Sequence, residues 1–335
     1  MELNIFKNGT QNHTDSNDKK LKSMTLKGVE SPTTIATDIS SVVVENSQNK
    51  LLINGAFQHD TNSKDKYRDD IGNIKKTGKK SVPPIEVSHL KFHYPNGVNA
   101  LKDISFNVKE GDLVAIIGPN GSGKSTLLKL LDGILTPDSG SIKLLGLDIK
   151  KYLRRDIAKI ISFVPQNESP RFFISVFETI LIGRTPYIAW NHPSKEDIRI
   201  TSKIIGMLNL EDLALRKVNE LSGGQLQKVN IGRALAQETK IILLDEPTAN
   251  LDLKHQIEVM KILKNITLQG KSVIIAIHDI NLAAKYCNKF ILLNDGKIIA
   301  SGESKILTEQ NLEKIYEIPI KIIKENGGMM IVPIV

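Results

Sequence analysis

The sequence of 335 residues contains one cysteine, no long apolar run and no recognisable leader. With Cys287 alone, no disulfide can form within the chain, which is typical of proteins from reducing compartments. No segment reaches the ~18 consecutive apolar residues that a membrane-spanning helix needs. Residues 1–7 lack the apolar core of a signal peptide. We therefore expect a chain that does not cross a membrane by itself and acts from the cytoplasmic side.

A strong charge of one sign is also missing from any single segment. The formal net charge is +8, but the basic residues are scattered along the chain. The densest run consists of Lys75, Lys76, Lys79 and Lys80. Such a balance suits a solvated basic surface or contact with acidic lipid headgroups. We expect no nucleic-acid partner.

The first 84 residues are poor in apolar side chains and rich in Asn, Ser, Thr, Lys and Asp. Their apolar clusters, at 42–44 and 51–53, are short, so burial cannot offset the entropy of ordering. We predict that residues 1–84 form a largely disordered extension with at most one transient strand pair. Pro83 and Pro84 mark its end, and residues 85–335 form the folded domain.

From Ile85 onwards, apolar patterns predict alternating strands and helices, and hence a parallel sheet covered on both faces. Residues 172–236 are mainly helical in pattern. A strand, a helix near 307–316 and a final apolar pair follow Lys297. The other predicted elements are strands at 85–94, 101–108, 113–117, 161–164, 241–244 and 273–277, and a helix at 124–135 that stops at Pro137.

Residues 118–125 read Gly-Pro-Asn-Gly-Ser-Gly-Lys-Ser and lie between a predicted strand and a predicted helix, as a phosphate-binding loop does. Glycines let successive N–H groups face phosphate oxygens, and the helix N-terminus adds its positive dipole. Lys124 offers a charge to the β- and γ-phosphates, and Ser125 offers a hydroxyl to Mg²⁺. The predicted nucleotide-binding residues of this segment are Gly118, Pro119, Asn120, Gly121, Ser122, Gly123, Lys124, Ser125 and Thr126.

Two further motifs follow the phosphate-binding loop. Asp245 and Glu246 end an apolar strand, where Asp245 can hold Mg²⁺ and Glu246 can act as the base for an attacking water. Ahead of them lies the pentapeptide of Leu221, Ser222, Gly223, Gly224 and Gln225. These motifs occur in the order and spacing of one superfamily.

On these motifs, residues 85–335 resemble an ATP-binding subunit of an ABC transporter. The resemblance implies a RecA-like P-loop NTPase core with an antiparallel β subdomain and a helical subdomain inserted at about 167–236. It implies that the pentapeptide is the signature motif, which contacts ATP bound to a second copy. It further implies ATP hydrolysis with ATP and Mg²⁺, a homodimer, and separate permease subunits at the cytoplasmic face of the membrane.

The same resemblance assigns four residues that spacing alone leaves ambiguous. Tyr94 corresponds to the aromatic residue that stacks on adenine, and Gln166 to the glutamine that contacts Mg²⁺ together with Ser125 and Asp245. Asp252 corresponds to the D-loop aspartate at the dimer interface. His278 corresponds to the switch histidine near the γ-phosphate. The implied catalytic residues are thus Glu246, His278 and Gln166.

Two stretches, residues 176–187 and 278–288, resemble importers of ferric siderophores, haem and cobalamin. Such importers also use an extracytoplasmic binding protein. The corresponding subunits of zinc or manganese importers have similar sequences. Further alternatives are an exporter subunit and a soluble ABC ATPase that acts on nucleic acid or ribosomes. Phe172, Phe173 and Tyr187 fit either a core or a surface that receives the permease.

Overall fold

The computed structural model describes residues 82–166, 173–188, 192–325 and 328–334. They belong to a compact unit of residues 79–335. The expected strand pair near residues 42–53, the lysine run and Phe172 lie outside the described residues. The fold below is that of this unit.

Strands contribute about half of the buried apolar residues in the described region. Their order along the chain is β1 (Ile85–His93), β2 (Asn99–Val108), β3 (Leu113–Ile117), β4 (Ser139–Leu144), β5 (Leu147–Asp148), β6 (Ile161–Val164), β7 (Ile241–Asp245), β8 (Ser272–Ala276), β9 (Lys289–Asn294), β10 (Lys297–Gly302), β11 (Ile320–Glu325) and β12 (Gly328–Pro333). The predicted strands are confirmed to within two residues at either end.

Helices of the described region alternate with these strands. They are α1 (Lys124–Leu131), α2 (Arg154–Ile160), α3 (Val176–Leu181), α4 (Lys195–Met207), α5 (Gly223–Ala236), α6 (Leu253–Leu268), α7 (Ile280–Tyr286) and α8 (Glu309–Tyr316). Short 3₁₀ turns cover Ile149–Lys151, Ile182–Arg184, Glu211–Leu213, Val218–Glu220 and Ser304–Ile306. The predicted mainly helical stretch thus holds α3, α4 and α5.

The main sheet of the described region has six strands in the order β10–β9–β3–β8–β7–β6. All its pairs are parallel except β9 with β10. The register places Ile116 beside Ala276 and Ala276 beside Asp245, so β3, β8 and β7 end at the same level. The loops after these strands therefore meet at one edge, where ligands bind in sheets of this kind.

An antiparallel sheet of order β2–β1–β4–β5 shares its core with the main sheet. One hydrophobic cluster joins buried residues of β1, β2 and β4 to residues of α1 and of the facing strands. Ile85, Leu101 and Leu127 are completely buried in it. Because α1 is enclosed between the two sheets, the loop that precedes it is held firmly. The predicted fold class, a P-loop NTPase core with an antiparallel β subdomain and inserted helices, is confirmed.

Helix α1 ends earlier than its sequence pattern predicts. It stops at Leu131, and Gly133 follows with a φ of 71°. The N–H groups of Gly133 and Ile134 bond to the carbonyl oxygens of Leu130 and Lys129. A left-handed glycine just after a helix closes its last turn in this way. The predicted end at residue 135 is therefore wrong, because Gly133 terminates the helix before Pro137 does.

Arg184 joins the helices between β6 and β7. Its guanidinium is buried, pairs with Asp197 at 2.9 Å and donates to the carbonyl oxygen of Ala236 at 2.7 Å. Burial alone raises the pKa of Asp197, but bonds from Ser194 and Arg184 bring that pKa below its usual value. Tyr187 stacks on Arg184, with 4.3 Å from the guanidinium carbon to the ring centre. One cation thus ties α4 and α5 to the turn that follows α3.

The last two strands form a separate hairpin of β11 and β12. Asn281 of α7 accepts a hydrogen bond from the Ile331 N–H at 2.7 Å and donates to the Ile331 carbonyl at 3.0 Å. This amide therefore pairs with β12 as a neighbouring strand would. Across the described residues, no helix has the length and apolar character that crossing a bilayer requires.

Candidate active site

The phosphate-binding loop joins the C-terminal end of β3 to the start of α1. Asn120 and Gly121 are exposed at its tip, whereas Gly118, Ser122 and Lys124 are buried. The first N–H groups of a helix have no partner within the helix and carry a positive partial charge. The start of α1 therefore provides several donors for an anion at the mouth of the loop.

Two glycines are required by close backbone contacts. A Cβ atom on Gly118 would lie 2.0 Å from the carbonyl oxygen of Leu293. Gly123 has a φ of 104°, and a Cβ atom there would approach the carbonyl oxygen of Ala100 to 2.7 Å. The loop can curl against β2 and β9 only because both positions lack a side chain.

Lys124 points back into the loop. Its Nζ donates to the carbonyl oxygens of Gly118 and Pro119, each at 2.9 Å. Burial lowers the pKa of Lys124, while the nearby Glu246 and Asp245 carboxylates oppose that change. The ammonium group is therefore positioned at the loop and balanced by two acidic side chains at the end of β7.

Ser125 and Asp245 together suit a hard cation. Asp245 is buried, its Oδ1 has no hydrogen-bond partner, and Ser125 hydrogen-bonds to its carboxylate. Burial raises the pKa of Asp245, an effect that the Ser125 bond partly offsets. A free carboxylate oxygen beside a hydroxyl is a donor set that Mg²⁺ accepts. The pair therefore fits the ion that the sequence resemblance implies.

Glu246 is the centre of a side-chain cluster at the same edge. His278 Nε2 donates to Oε1 of Glu246, and Gln166 Nε2 donates to Oε2 at 2.5 Å. Glu246 has a φ of 51° and its N–H bonds to the Ala276 carbonyl, so the carboxylate is held by a rarely used backbone conformation. The structure thus brings all three predicted catalytic residues into contact.

Tyr94 lies over the beginning of α1. Its hydroxyl is 3.0 Å from Oγ1 of Thr126, and its ring packs edge-on against Phe92 with centroids 5.0 Å apart. The residue is half-buried, which leaves part of the ring exposed near the phosphate-binding loop. This position is compatible with the predicted contact to adenine, which stays a prediction.

The signature segment begins α5. Ser222 is its N-cap and forms a capping box with Gln225, whose Oε1 accepts from the Ser222 N–H at 3.0 Å. Ser222 and Gly223 are exposed, whereas Leu221 and Gln225 are half-buried and Gly224 is buried. The segment thus presents a capped helix N-terminus at the surface, a form suited to an anion brought by another molecule.

Asp252 begins α6 in the same manner. Its carboxylate accepts from the His255 N–H at 2.9 Å and bonds to His255 Nδ1 at 2.7 Å. The backbone N–H of His255, followed by its side chain, holds the pKa of Asp252 below its usual value. No sequence motif assigns a role to His255, although Asp252 is a residue type that commonly caps helices.

The two aromatic candidates for a permease-facing surface differ. Phe173 is 78% exposed, so it is not a core residue. Tyr187 is half-buried against Arg184 and donates from its hydroxyl to the Gln237 carbonyl at 3.1 Å. The prediction that left both options open is thus resolved toward surface for Phe173 and toward packing for Tyr187.

Comparison with known proteins identifies the family. The ABC transporter family model matches residues 101–249. An uncharacterised ABC transporter ATP-binding protein of Methanocaldococcus jannaschii is 46% identical over 255 residues, which cover 76% of this chain and 99% of that protein. The chain belongs to the ABC transporter ATP-binding family. A hemin import ATP-binding protein of Photobacterium damsela subsp. piscicida is 36% identical, over 72% of this chain and 92% of its own length.

Solved structures agree with this family. An inward-facing transporter assigned to the metal-chelate type has 35% identity and a TM-score of 0.67, covering 76% of this chain and 98% of that one. A dimeric ATP-binding cassette bound to ADP and phosphate has 32% identity and a TM-score of 0.58, covering 65% and 98%. As a member of the ABC family, the chain is an ATP-binding ATPase subunit.

Proposed function

We propose that this ABC subunit hydrolyses ATP to drive import of a metal chelate, such as a ferric siderophore, haem or cobalamin, through a separate permease. The observation that carries the catalytic part is the convergence of Gln166 and His278 on the Glu246 carboxylate at the end of β7. The cargo class rests on the hemin importer and on the structure of the metal-chelate type.

In this proposal, the phosphates of ATP lie on the N–H groups of the loop and at the start of α1. Lys124 exchanges the carbonyl oxygens of Gly118 and Pro119 for β- and γ-phosphate oxygens, which are stronger acceptors because they are charged. Tyr94 supports the adenine. Because Lys124 is buried, its contact with the phosphates would be strengthened by the exclusion of water.

Ser125, Asp245 and Gln166 would hold Mg²⁺. Bound there, the ion would neutralise charge on the phosphate oxygens. Asp245 offers its unpartnered Oδ1, and Gln166 offers its amide oxygen while its Nε2 donates to Glu246. The carboxyl group of Asp245 must be ionised to do so, although burial raises its pKa.

Glu246 accepts a proton from the water that attacks the γ-phosphate. Each oxygen of the Glu246 carboxylate accepts a hydrogen bond, and these two bonds hold the carboxylate in one orientation. His278 Nε2 provides one of them, so the imidazole orients the base. The same ring would lie close to the γ-phosphate. A positioned general base contributes about 10²- to 10⁴-fold to such a reaction.

Two copies of the chain complete each other's sites. The exposed start of α5, at Ser222 and Gly223, would contact the γ-phosphate bound by the second copy, and Asp252 would lie at the same interface. Once the cleaved γ-phosphate is released, this bridge is lost and the copies separate, and the cycle of closing and opening moves the permease. The dimeric relative bound to ADP and phosphate supports this arrangement.

The subunit would act at the cytoplasmic face of the membrane, against permease subunits and indirectly with an extracytoplasmic binding protein. Phe173 is exposed and belongs to the surface proposed to receive the permease. The Lys217 Nζ lies 5.9 Å from the centre of its ring. The names of the related proteins favour chelate import over zinc or manganese import, export, or action on nucleic acid.

The cargo proposal is tested by uptake in cells that lack this chain. Labelled ferric siderophore, hemin and cobalamin are offered beside zinc and manganese, and the wild-type chain or its Lys124→Ala variant is restored. We expect one chelate to enter only with the wild-type chain. Loss of zinc or manganese uptake alone, with chelate uptake intact, would overturn the assignment.

We also propose that residues 85–335 form the ATP-binding domain, with a helical subdomain at about 167–236, and that residues 1–84 are an extension that ATP hydrolysis does not require. Deleting residues 1–84 should leave ATP hydrolysis unchanged, as measured by phosphate release. A loss of more than about tenfold, which corresponds to 1.4 kcal/mol, would contradict this division.

A further inference from the structure

Gly224 of the signature segment packs against His255 of the same chain. A Cβ atom on Gly224 would lie 2.3 Å from Cδ2 of His255 and 2.9 Å from its Nε2. The imidazole ring therefore occupies the space that any other residue at 224 would fill. Gly224 is buried by this contact, while its neighbours Ser222 and Gly223 are exposed.

The same imidazole holds the D-loop aspartate. His255 Nδ1 is 2.7 Å from Oδ1 of Asp252, and 29% of the His255 side chain is exposed against 66% of Asp252. One ring thus contacts Gly224 with one edge and Asp252 with the other. It joins the two segments that the proposed dimer presents to the second copy.

Further contacts keep α5 and α6 in this register. A Cβ atom on Gly223 would lie 3.9 Å from Leu251, which precedes Asp252. One turn beyond His255, Lys228 of α5 pairs with Glu258 of α6 at 2.8 Å. The starts of the two helices are thus in contact on both sides of the imidazole ring.

We propose that His255 is a positioning residue that makes the signature segment and the D-loop of one chain a single rigid half-site. This inference rests on the proposed function, in which that half-site closes on ATP bound by a second copy. Rigidity matters because a half-site that is ordered before contact loses less entropy on binding. His255 itself need not touch the nucleotide.

The test measures ATP-driven dimer formation by the full chain in a Glu246→Gln background, which slows hydrolysis. His255→Ala removes both contacts, whereas His255→Asn keeps a donor for Asp252 and removes the ring from Gly224. His89→Asn is the matched control, because His89 also pairs with an aspartate, Asp103 at 2.9 Å, but on β1. Asparagine suits the φ of 50° at residue 89.

With His255→Ala, we expect the dimer dissociation constant to rise about tenfold, as for one lost hydrogen bond to a charged group. His255→Asn should lie between Ala and the parent, and His89→Asn should match the parent. Binding of Mg-ATP to the dilute single chain and the thermal midpoint should stay as in the parent, which separates positioning from general destabilisation.

Two results would overturn the inference. The first is parent-like dimer formation by His255→Ala and His255→Asn. The second is weaker dimer formation that merely follows a loss of thermal stability or of Mg-ATP binding in both variants. If the Glu246→Gln parent binds Mg-ATP but stays a single chain, the shared site of the proposed function is wrong, and the inference falls with it.

Discussion

Replacing Glu246 with glutamine tests the chemistry of the site while leaving its shape intact. In the wild-type chain, Oε1 accepts from His278 and Oε2 accepts from Gln166 at 2.5 Å. A glutamine at 246 has the same size and keeps one oxygen as acceptor. Gln166 can still donate to that oxygen, and the His278 imidazole can change tautomer and accept at Nε2 from the new NH₂ group, so both contacts can persist.

The neutral amide, however, cannot accept a proton from water. The expected loss in kcat is therefore that of a general base, about 10²- to 10⁴-fold, or roughly 2.7 to 5.5 kcal/mol in activation free energy. Lys124 also loses one of the two carboxylates that oppose the lowering of its pKa by burial. Asp245 still acts on that lysine, and the ATP phosphates remain available to it, so we expect ATP affinity to change little.

The assay combines phosphate release at saturating Mg-ATP with calorimetric measurement of ATP binding. Glu303→Gln is the matched control, because it makes the same chemical change in an exposed partner of Lys289, away from the loop. Glu303→Gln should hydrolyse ATP at the wild-type rate. A Glu246→Gln variant that also does so would refute the role of Glu246 as base.

Other predictions follow from single contacts. Lys124→Ala should weaken ATP binding about tenfold or more by calorimetry, because a charged hydrogen bond to phosphate is lost, and unchanged affinity would contradict its role. Arg184→Met leaves Asp197 buried without its cation and should lower the free energy of unfolding, measured in urea, by about 3–5 kcal/mol. A decrease of less than about 1 kcal/mol would contradict this prediction. Burial raises the pKa of Cys287 to about 12, so iodoacetamide at about pH 8 should label only the unfolded chain. Because an unfolded thiol ionises first, the free energy of unfolding should fall as pH rises from about 9 towards that value.

The sequence predicts those parts of the fold that depend on local pattern. Leu113–Ile117 is a continuous apolar run before a glycine-rich loop, and the strand has those bounds. The end of α1 was predicted too late, since the apolar spacing continues through Leu135 while Gly133 already turns the backbone. There, backbone geometry overrides the side-chain pattern.

Contacts between distant segments are not readable from one sequence. The motifs point to Gln166, Glu246 and His278 separately. Their contact depends on β6, β7 and β8 ending within one residue of the same level in the sheet. The packing of His255 on Gly224 depends on how α5 and α6 pack together, and the sequence of neither segment predicts this contact. Register and helix packing, rather than composition, decide these parts of the site.

In the proposed function, two copies of this chain hold ATP between the phosphate-binding loop of one and the signature segment of the other. Light scattering of the Glu246→Gln chain, together with a count of bound nucleotide, tests it most directly. With Mg-ATP, we predict a particle of two chains and two ATP molecules, and a single chain without nucleotide. A single chain that holds ATP at every protein concentration would contradict the account.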